Sequence, residues 1–362
     1  MLRHALAILI LLLSSAFPGA SSAQQAWLLL DGADQGDIYR AEEGDGLRHV
    51  ARVGDGVTYG ETASALAVLS RRTYADPLLL QIFDKKTEKK IVEWPLPGFS
   101  VLWLSGPSRD VALTDEFAYY ASIRYAKDLQ SPEPNELGGN FDLYRVALAD
   151  GKSDRYPLSP ECANPRVVAF AGAPVVYSWN GSRVWVFDPG ASPLEALALR
   201  DVADEPSATR PGYHFADYAV IPDVGVFRVS RASVLTQVLD ARLQSIGART
   251  TLDLSPRGTV IRIIPAGFGN RPAVGVLIKT ESELRYVAVD PASLKVLGEL
   301  ALPQHAVIDS IAVARDGSIT YVDQQAATIG RIVEGRVETL WTLEKGRSSE
   351  FHYHTRVLSL EP

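Results

Sequence analysis

Four histidines carry the clearest chemistry in this chain. His214, His305, His352 and His354 fall in segments that read as connections between stranded units, and His49 falls within a strand. A neutral imidazole is the commonest transition-metal ligand, and it also serves as a general base near neutral pH. His352 and His354 are one residue apart, so an extended segment points both the same way. With His214 they form a candidate metal set. Asp217, Glu161, Asp309 and Tyr213 offer oxygen ligands or acids nearby. The alternatives are a metal-free catalytic histidine, or polar loops that have simply collected polar residues.

A second candidate region is the connection Tyr125–Gly139. It holds Asp128, Glu133 and Glu136 among Pro132 and Pro134. Long connections without regular structure are often functional, and this one reads as a partner-binding flap or a solvated insertion. The candidate ligand- or partner-binding set is therefore His214, Tyr213, His305, His352, His354, Asp128, Glu133 and Glu136. No motif identifies a cofactor or a catalytic residue. There is no Gly-x-Ser-x-Gly elbow, phosphate-binding loop, His-Glu-x-x-His helix or Cys-x-x-Cys-His haem site. The lone cysteine, Cys162, excludes a disulfide framework.

These residues need a scaffold, and the scaffold reads as all-β. Short runs rich in Val, Leu, Ile and Tyr alternate with Gly, Pro, Asp and Asn, and helical periodicity is almost absent. One phrase recurs: an apolar strand ends in Asp, turns, and a second strand follows. It occurs at Asp84, Asp150, Asp188, Asp240 and Asp290, at spacings of 66, 38, 52 and 50 residues. A drifting period with about four strands per unit predicts a β-propeller.

Seven units fit this frame. The first has only three strands, within 26–53. The others cover 57–96, 100–158, 166–199, 216–252, 258–302 and 307–342. The stretch Thr355–Leu360 has no unit of its own. It is predicted to supply the missing inner strand of the first unit, closing the ring and removing its exposed edges. In such a ring the outer-to-inner linkers and the loops between second and third strands share one face. The Asp hairpins lie on the other.

Asn140-Phe141-Asp142-Leu143-Tyr144-Arg145-Val146 with Asp150-Gly151-Lys152, and Ala314-Arg315-Asp316-Gly317-Ser318-Ile319 with Tyr321-Val322, resemble the broad seven-bladed propeller superfamily. That superfamily includes YVTN-type, TolB-like and quinoprotein amine dehydrogenase-like propellers. The resemblance spans residues 24–362 and implies a fold, with no site residue attached to it.

Composition narrows the partners. The 362 residues hold 36 basic and 43 acidic side chains, a net charge of −7. The densest basic run, Lys85, Lys86, Lys89 and Lys90, reads as a solvated hairpin without interleaved aromatics, so nucleic acid is disfavoured. Residues 1–23 read as a secretory signal peptide: Arg3 and His4, the apolar run Ala5–Leu13, then small residues ending at Ala23. No later run is long enough to span a bilayer, so stable membrane insertion is not expected.

The sequence therefore predicts a periplasmic or secreted seven-bladed propeller over residues 24–362. It binds a protein or small-molecule ligand through the loop face around its channel. The alternative is a propeller enzyme, a lyase, lactone hydrolase or dehydrogenase subunit, with distributed histidines at the channel mouth.

Overall fold

The computed structural model describes residues 25–31, 36–42, 46–71, 76–97, 99–100, 110–123, 133–162, 164–170, 172–178, 183–201, 217–230, 232–247, 249–323, 325–342 and 356–361. It is a seven-bladed β-propeller of antiparallel, four-stranded blades.

The first blade contains β1 (Gln25–Asp31), β2 (Gly36–Glu42) and the first half of β3 (Gly46–Glu61). The second half of β3 is the inner strand of blade 2. It is followed by β4 (Ala65–Arg71), β5 (Leu78–Asp84) and β6 (Lys90–Leu96). Blade 3 has an inner strand in two pieces, β7 (Phe99–Ser100) and β8 (Ala112–Leu113), both paired with β9 (Phe117–Ile123). Its outer strands are β10 (Phe141–Ala147) and β11 (Ser153–Pro157).

Blade 4 is β12 (Pro165–Phe170), β13 (Ala173–Ser178), β14 (Arg183–Phe187) and β15 (Leu197–Asp201). Blade 5 is β16 (Asp217–Ile221), β17 (Gly225–Val229), β18 (Val234–Leu239) and β19 (Thr251–Asp253). Blade 6 is β20 (Thr259–Phe268), β21 (Arg271–Lys279), β22 (Leu284–Val289) and β23 (Val296–Leu302). Blade 7 is β24 (Ala312–Val313), β25 (Ile319–Asp323), β26 (Thr328–Val333) and β27 (Arg336–Thr342).

The last strand, β28 (Arg356–Glu361), pairs antiparallel with β1 and completes blade 1 as its inner strand. The closure read from the sequence is therefore present. Seven inner strands follow one another around the ring, each beside the next: β3, β8, β12, β16, β20, β24, β28 and back to β3.

Burial explains why the strands read as apolar runs. Among the described residues the core forms seven hydrophobic clusters, and each spans one blade boundary. In β4, Leu66 and Val68 pack towards blade 1, whereas Ala67 and Leu69 pack towards blade 3. Successive side chains point to opposite faces of a sheet, so a strand covered on both faces loses the apolar–polar alternation. Outer strands such as β23 regain it, with exposed and half-buried residues alternating along Val296–Leu302. The ring closes through the same contacts: Leu28 and Val357 of blade 1 join Ile329 and Trp341 of blade 7.

The recurring Asp phrase is a single local device. The carboxylate accepts a backbone N–H from two or three residues on: Thr87 to Asp84 (2.6 Å), Lys152 to Asp150 (3.1 Å), Gly190 to Asp188 (2.9 Å), Arg242 to Asp240 (2.8 Å) and Ala292 to Asp290 (2.8 Å). Aspartate favours such turns because its short side chain mimics the backbone turn. All five join the third and fourth strands of blades 2 to 6, so they lie on one face of the ring.

Two local readings need correction. The first two units are not separated at 54–56: β3 runs through, with a bulge between Asp55 and Thr58, so blades 1 and 2 share one seven-stranded sheet. The basic hairpin is not wholly solvated. Lys85 is buried, its Nζ donating to Glu61 Oε2 at 2.6 Å and to the Thr62 carbonyl at 2.8 Å.

Candidate functional site

The inner strands bring together charges that are far apart in the chain. Asp110 immediately precedes the β8 segment, and its carboxylate pairs with Arg166 on β12. Asp217 opens β16. Arg262 lies on β20 and pairs with Asp309, just before β24. Read around the ring from blade 3 to blade 7, the order is Asp110, Arg166, Asp217, Arg262, Asp309. Acid and base alternate, one per blade. Thr58 of blade 2 extends the belt, accepting the Asp110 backbone N–H at 3.2 Å.

Asp217 sits at the centre of this belt. Its Oδ2 accepts the Ile263 backbone N–H at 2.7 Å, a bond from blade 5 to blade 6. Among the described residues it makes no direct ion pair, although Arg262 and Arg166 both act on it. Burial raises its carboxyl above the usual aspartate range. The Arg262 charge, the Ile263 and Tyr218 backbone N–H groups and Arg166 oppose that rise without cancelling it. Arg166 shows the reverse balance: burial disfavours its charge, and Asp110, Tyr177 and Asp217 together more than restore it.

Tyr177 of β13 is buried beside Arg166, its partner in the strand register. Its ring packs on Tyr218 of blade 5, with centroids 4.9 Å apart. Its hydroxyl is held well above the usual phenol range, chiefly by burial and then by the Asp217 and Asp110 charges. The belt remains open to solvent at one end. The Arg262 side chain is 33% exposed and Asp309 44%, against 17% and 15% for Arg166 and Asp110.

Of the candidate residues read from the sequence, Glu133, Glu136 and His305 are described. Tyr213, His214, His352, His354 and Asp128 lie outside the described residues, as does the proposed leader 1–23. His305 is exposed, in the turn between β23 and the segment leading to Asp309. Glu133 and Glu136 are exposed on the connection between β9 and β10, and Glu136 pairs with Arg155 of β11. All three are on the linker face. The two glutamates and His305 stand on opposite sides of the ring. Glu161 is engaged with Arg183 of β14. Among the described residues, no group of three His, Cys, Asp or Glu side chains could hold a metal ion.

The second half of the proposed flap is built rather than loose. The Asn135 amide donates to the carbonyls of Phe141 (2.7 Å) and Leu158 (2.9 Å). Its Oδ1 accepts the backbone N–H groups of Leu137 (2.9 Å) and Gly139 (3.0 Å). One buried side chain thus ties the 133–140 segment to blade 3.

Sequence reasoning reached Asp217 and Asp309 as acids beside the linkers but missed Asp110, Arg166, Arg262 and Tyr177. A usable signal was present. Arg262 interrupts the apolar run Val260-Ile261-Arg262-Ile263-Ile264, where a charge is costly unless it is paired.

Comparison with known proteins bears on the fold alone. No protein-family model matches the chain, and no curated protein matches it in sequence. Solved structures do resemble it. Virginiamycin B lyase from Staphylococcus aureus is 13% identical, over 80% of this chain and 86% of its own, with a TM-score of 0.51. A 6-phosphogluconolactonase candidate from Bacteroides fragilis is 10% identical, over 95% and 99%, with a TM-score of 0.53. A prolyl endopeptidase is 10% identical, over 87% of this chain and 48% of its own, with a TM-score of 0.56. At such identities a shared propeller carries no residue role across. Among the described residues no helix is long and apolar enough to cross a membrane.

Proposed function

We propose that this protein is an exported propeller that binds a protein or small-molecule ligand on the linker face of its ring. The observation that supports this reading is the difference between the two faces. On the hairpin face the chain satisfies itself: five Asp turns consume their own backbone donors, and Lys85 is paired and buried. The longest connections in the chain, 124–140, 202–216 and 343–355, join strand ends on the linker face, and the charged belt lies at the linker end of the inner strands. Binding sites concentrate on loops held by a rigid scaffold.

The test is oriented capture. Cys162 is buried, so a single introduced cysteine becomes the anchoring point. Protein anchored through Asp150→Cys presents the linker face, and protein anchored through Glu133→Cys blocks it. Each is exposed to extract of the source cells, and retained proteins and metabolites are identified by mass spectrometry. Capture by the first and not the second is the expected result. Equal capture, or capture only by the second, overturns the proposal.

A second reading, a propeller enzyme, is favoured by one feature. Asp217 is a half-buried carboxyl shifted towards its protonated form, a common property of catalytic acids. In that reading His214, His352 and His354 hold a metal or move protons at the channel mouth. Elemental analysis of untagged protein separates the two. Near-stoichiometric metal that is lost in His352→Ala/His354→Ala favours the enzyme.

A further inference from the structure

The boundary between blades 4 and 5 holds positive charge that the described chain does not balance. Arginines at other boundaries pair with a carboxylate: Arg145 with Asp154, Arg166 with Asp110, and Arg331 with Glu338. Arg200 of β15 and Arg228 of β17 have no carboxylate partner among the described residues. Arg200 donates only to the carbonyls of Leu243 and Leu199, both at 3.4 Å. Arg228 is half-buried, and its buried Nε makes no hydrogen bond. A guanidinium keeps its charge at ordinary pH, so burial cannot be relieved by loss of a proton. A charge taken from water is costly unless it is paired, and structures rarely leave a buried donor without a use.

Strand register shows where these groups meet. Tyr218, Arg228, Thr236 and Thr251 stand opposite one another across the four strands of blade 5. Residues directly opposite share a face of the sheet. Tyr218 packs against Tyr177 of blade 4, so the whole row faces blade 4. Arg200 stands opposite Val184, which packs towards blade 5, so it faces this row from the other wall. Arg249 joins from the outer side of blade 5, donating to the Ile246 carbonyl at 3.1 Å. Both Arg228 and Arg249 act on the Tyr218 hydroxyl. The row runs from buried Tyr218 to exposed Thr251, so it opens at the outer edge of the ring.

The nearby described acids are turned elsewhere. The Asp217 carboxylate accepts the Ile263 N–H of blade 6, and Asp240 and Asp253 cap their own turns. The boundary therefore offers donors and positive charge, which suit an anion. The donors also come from two walls. A planar carboxylate matches one arginine fork, whereas a tetrahedral oxyanion presents oxygens to both.

We infer that the blade 4–5 boundary binds an oxyanion of the phosphate or sulfate type, free or as the end group of a monoester, held by Arg228 and Arg200 with the Thr236 hydroxyl beside them. The ion enters from the outer edge of blade 5, and no covalent step is involved. This site lies between blades and does not depend on the linker-face reading.

The test is isothermal titration calorimetry of the full protein in phosphate-free buffer at constant ionic strength. The probes are inorganic phosphate, sulfate and glycerol 3-phosphate, with acetate as the planar control. A dissociation constant of about 1 mM or lower is expected for at least one of the three, with acetate weaker. Arg228→Gln and Arg200→Gln should each weaken binding about tenfold, the loss of one charge-assisted hydrogen bond. Arg336→Gln, at an exposed arginine of blade 7, removes the same charge and should leave binding unchanged. Thermal unfolding without phosphate checks that each variant folds. If Arg228→Gln does not fold, Arg200→Gln and Thr236→Val decide.

Tighter binding of glycerol 3-phosphate assigns the site to a monoester, and tighter binding of phosphate or sulfate assigns it to the free ion. The inference is overturned if none of the three binds, if acetate binds as tightly, or if the folded boundary variants bind as the parent does. A loss in Arg336→Gln equal to that in the boundary variants also overturns it, because net charge alone then explains the binding.

Discussion

Val357 stands opposite Leu28 in an antiparallel ladder that joins the last strand of the chain to the first. The two side chains also belong to the hydrophobic cluster between blades 7 and 1. The ring is thus closed by backbone hydrogen bonds and by a packed boundary together.

Removing that strand should open the molecule. A chain ending at residue 355 exposes the inner edge of β1 and uncovers Leu28. Stability should fall by several kcal/mol, a large share of the roughly 5–15 kcal/mol typical of a folded domain. A strongly lowered Tm and association on size-exclusion chromatography are the expected readouts, since an unpaired strand edge invites intermolecular pairing. An unchanged Tm would mean that β28 does not hold the ring.

Asn135 separates two halves of one connection. Asn135→Ala takes the side-chain partner from the Leu158 carbonyl and from the Leu137 and Gly139 N–H groups, while the Phe141 carbonyl keeps only the Leu158 N–H. A loss of about 2–4 kcal/mol is expected, because buried polar groups left unpaired cost more than a hydrogen bond gains. Replacing residues 125–131 by a short Gly/Ser link should cost less than about 1 kcal/mol, since loop-length entropy changes slowly. Chemical denaturation of both variants checks the contrast.

Four aspartates of this protein are shifted from the ordinary value, three downwards and one upwards. Hydrogen bonds from Thr87, Lys152 and Ser255 hold the Asp84, Asp150 and Asp253 carboxyls below the ordinary range. Their contribution is complete above the ordinary aspartate value of about 3.9 and is lost as pH falls through the lowered folded values. Burial raises Asp217 instead. It carries no penalty below the ordinary value, and its ionisation costs stability as pH rises through the raised folded value. Carbon-13 NMR titration of the side-chain carboxyls should find Asp217 last to ionise among the four. If it titrates with the turn aspartates, the belt does not desolvate it.

Cys162 should be silent in the native state. It is buried between blades 3 and 4, and burial pushes its thiol far above the usual range. The thiolate is the reactive form, so a disulfide reagent should label it only after unfolding. Rapid labelling of folded protein would mean that the blade 3–4 boundary opens.

Much of the ring was legible because its signals are local. An Asp that caps its own turn, as at Asp84 or Asp290, needs only its next few residues. A strand packed on both faces, such as β4, needs only its own apolar run. Even the closing strand could be inferred, because a three-stranded first unit and an orphan segment at Thr355–Leu360 complete each other. Two exceptions lay at inner strands. Val53 to Val57 reads as a break because Gly54, Asp55 and Gly56 look like a turn, yet β3 absorbs them in a bulge. The inner strand of blade 3 is split between Phe99–Ser100 and Ala112–Leu113, and neither two-residue piece has a pattern of its own.

The site followed the opposite rule. Histidines in linkers were noticed because residue type and spacing are visible in the chain. Asp110, Arg166, Asp217, Arg262 and Asp309 share no motif and no spacing, and each is one charge at the start of a different inner strand.

The sequence by itself determined the strand class, the turn chemistry and the number of blades, since each depends on interactions between near neighbours. The order of charges around the axis was decided only by tertiary structure. It depends on which residue of each inner strand reaches the same level of the ring, and that level is set by packing between blades.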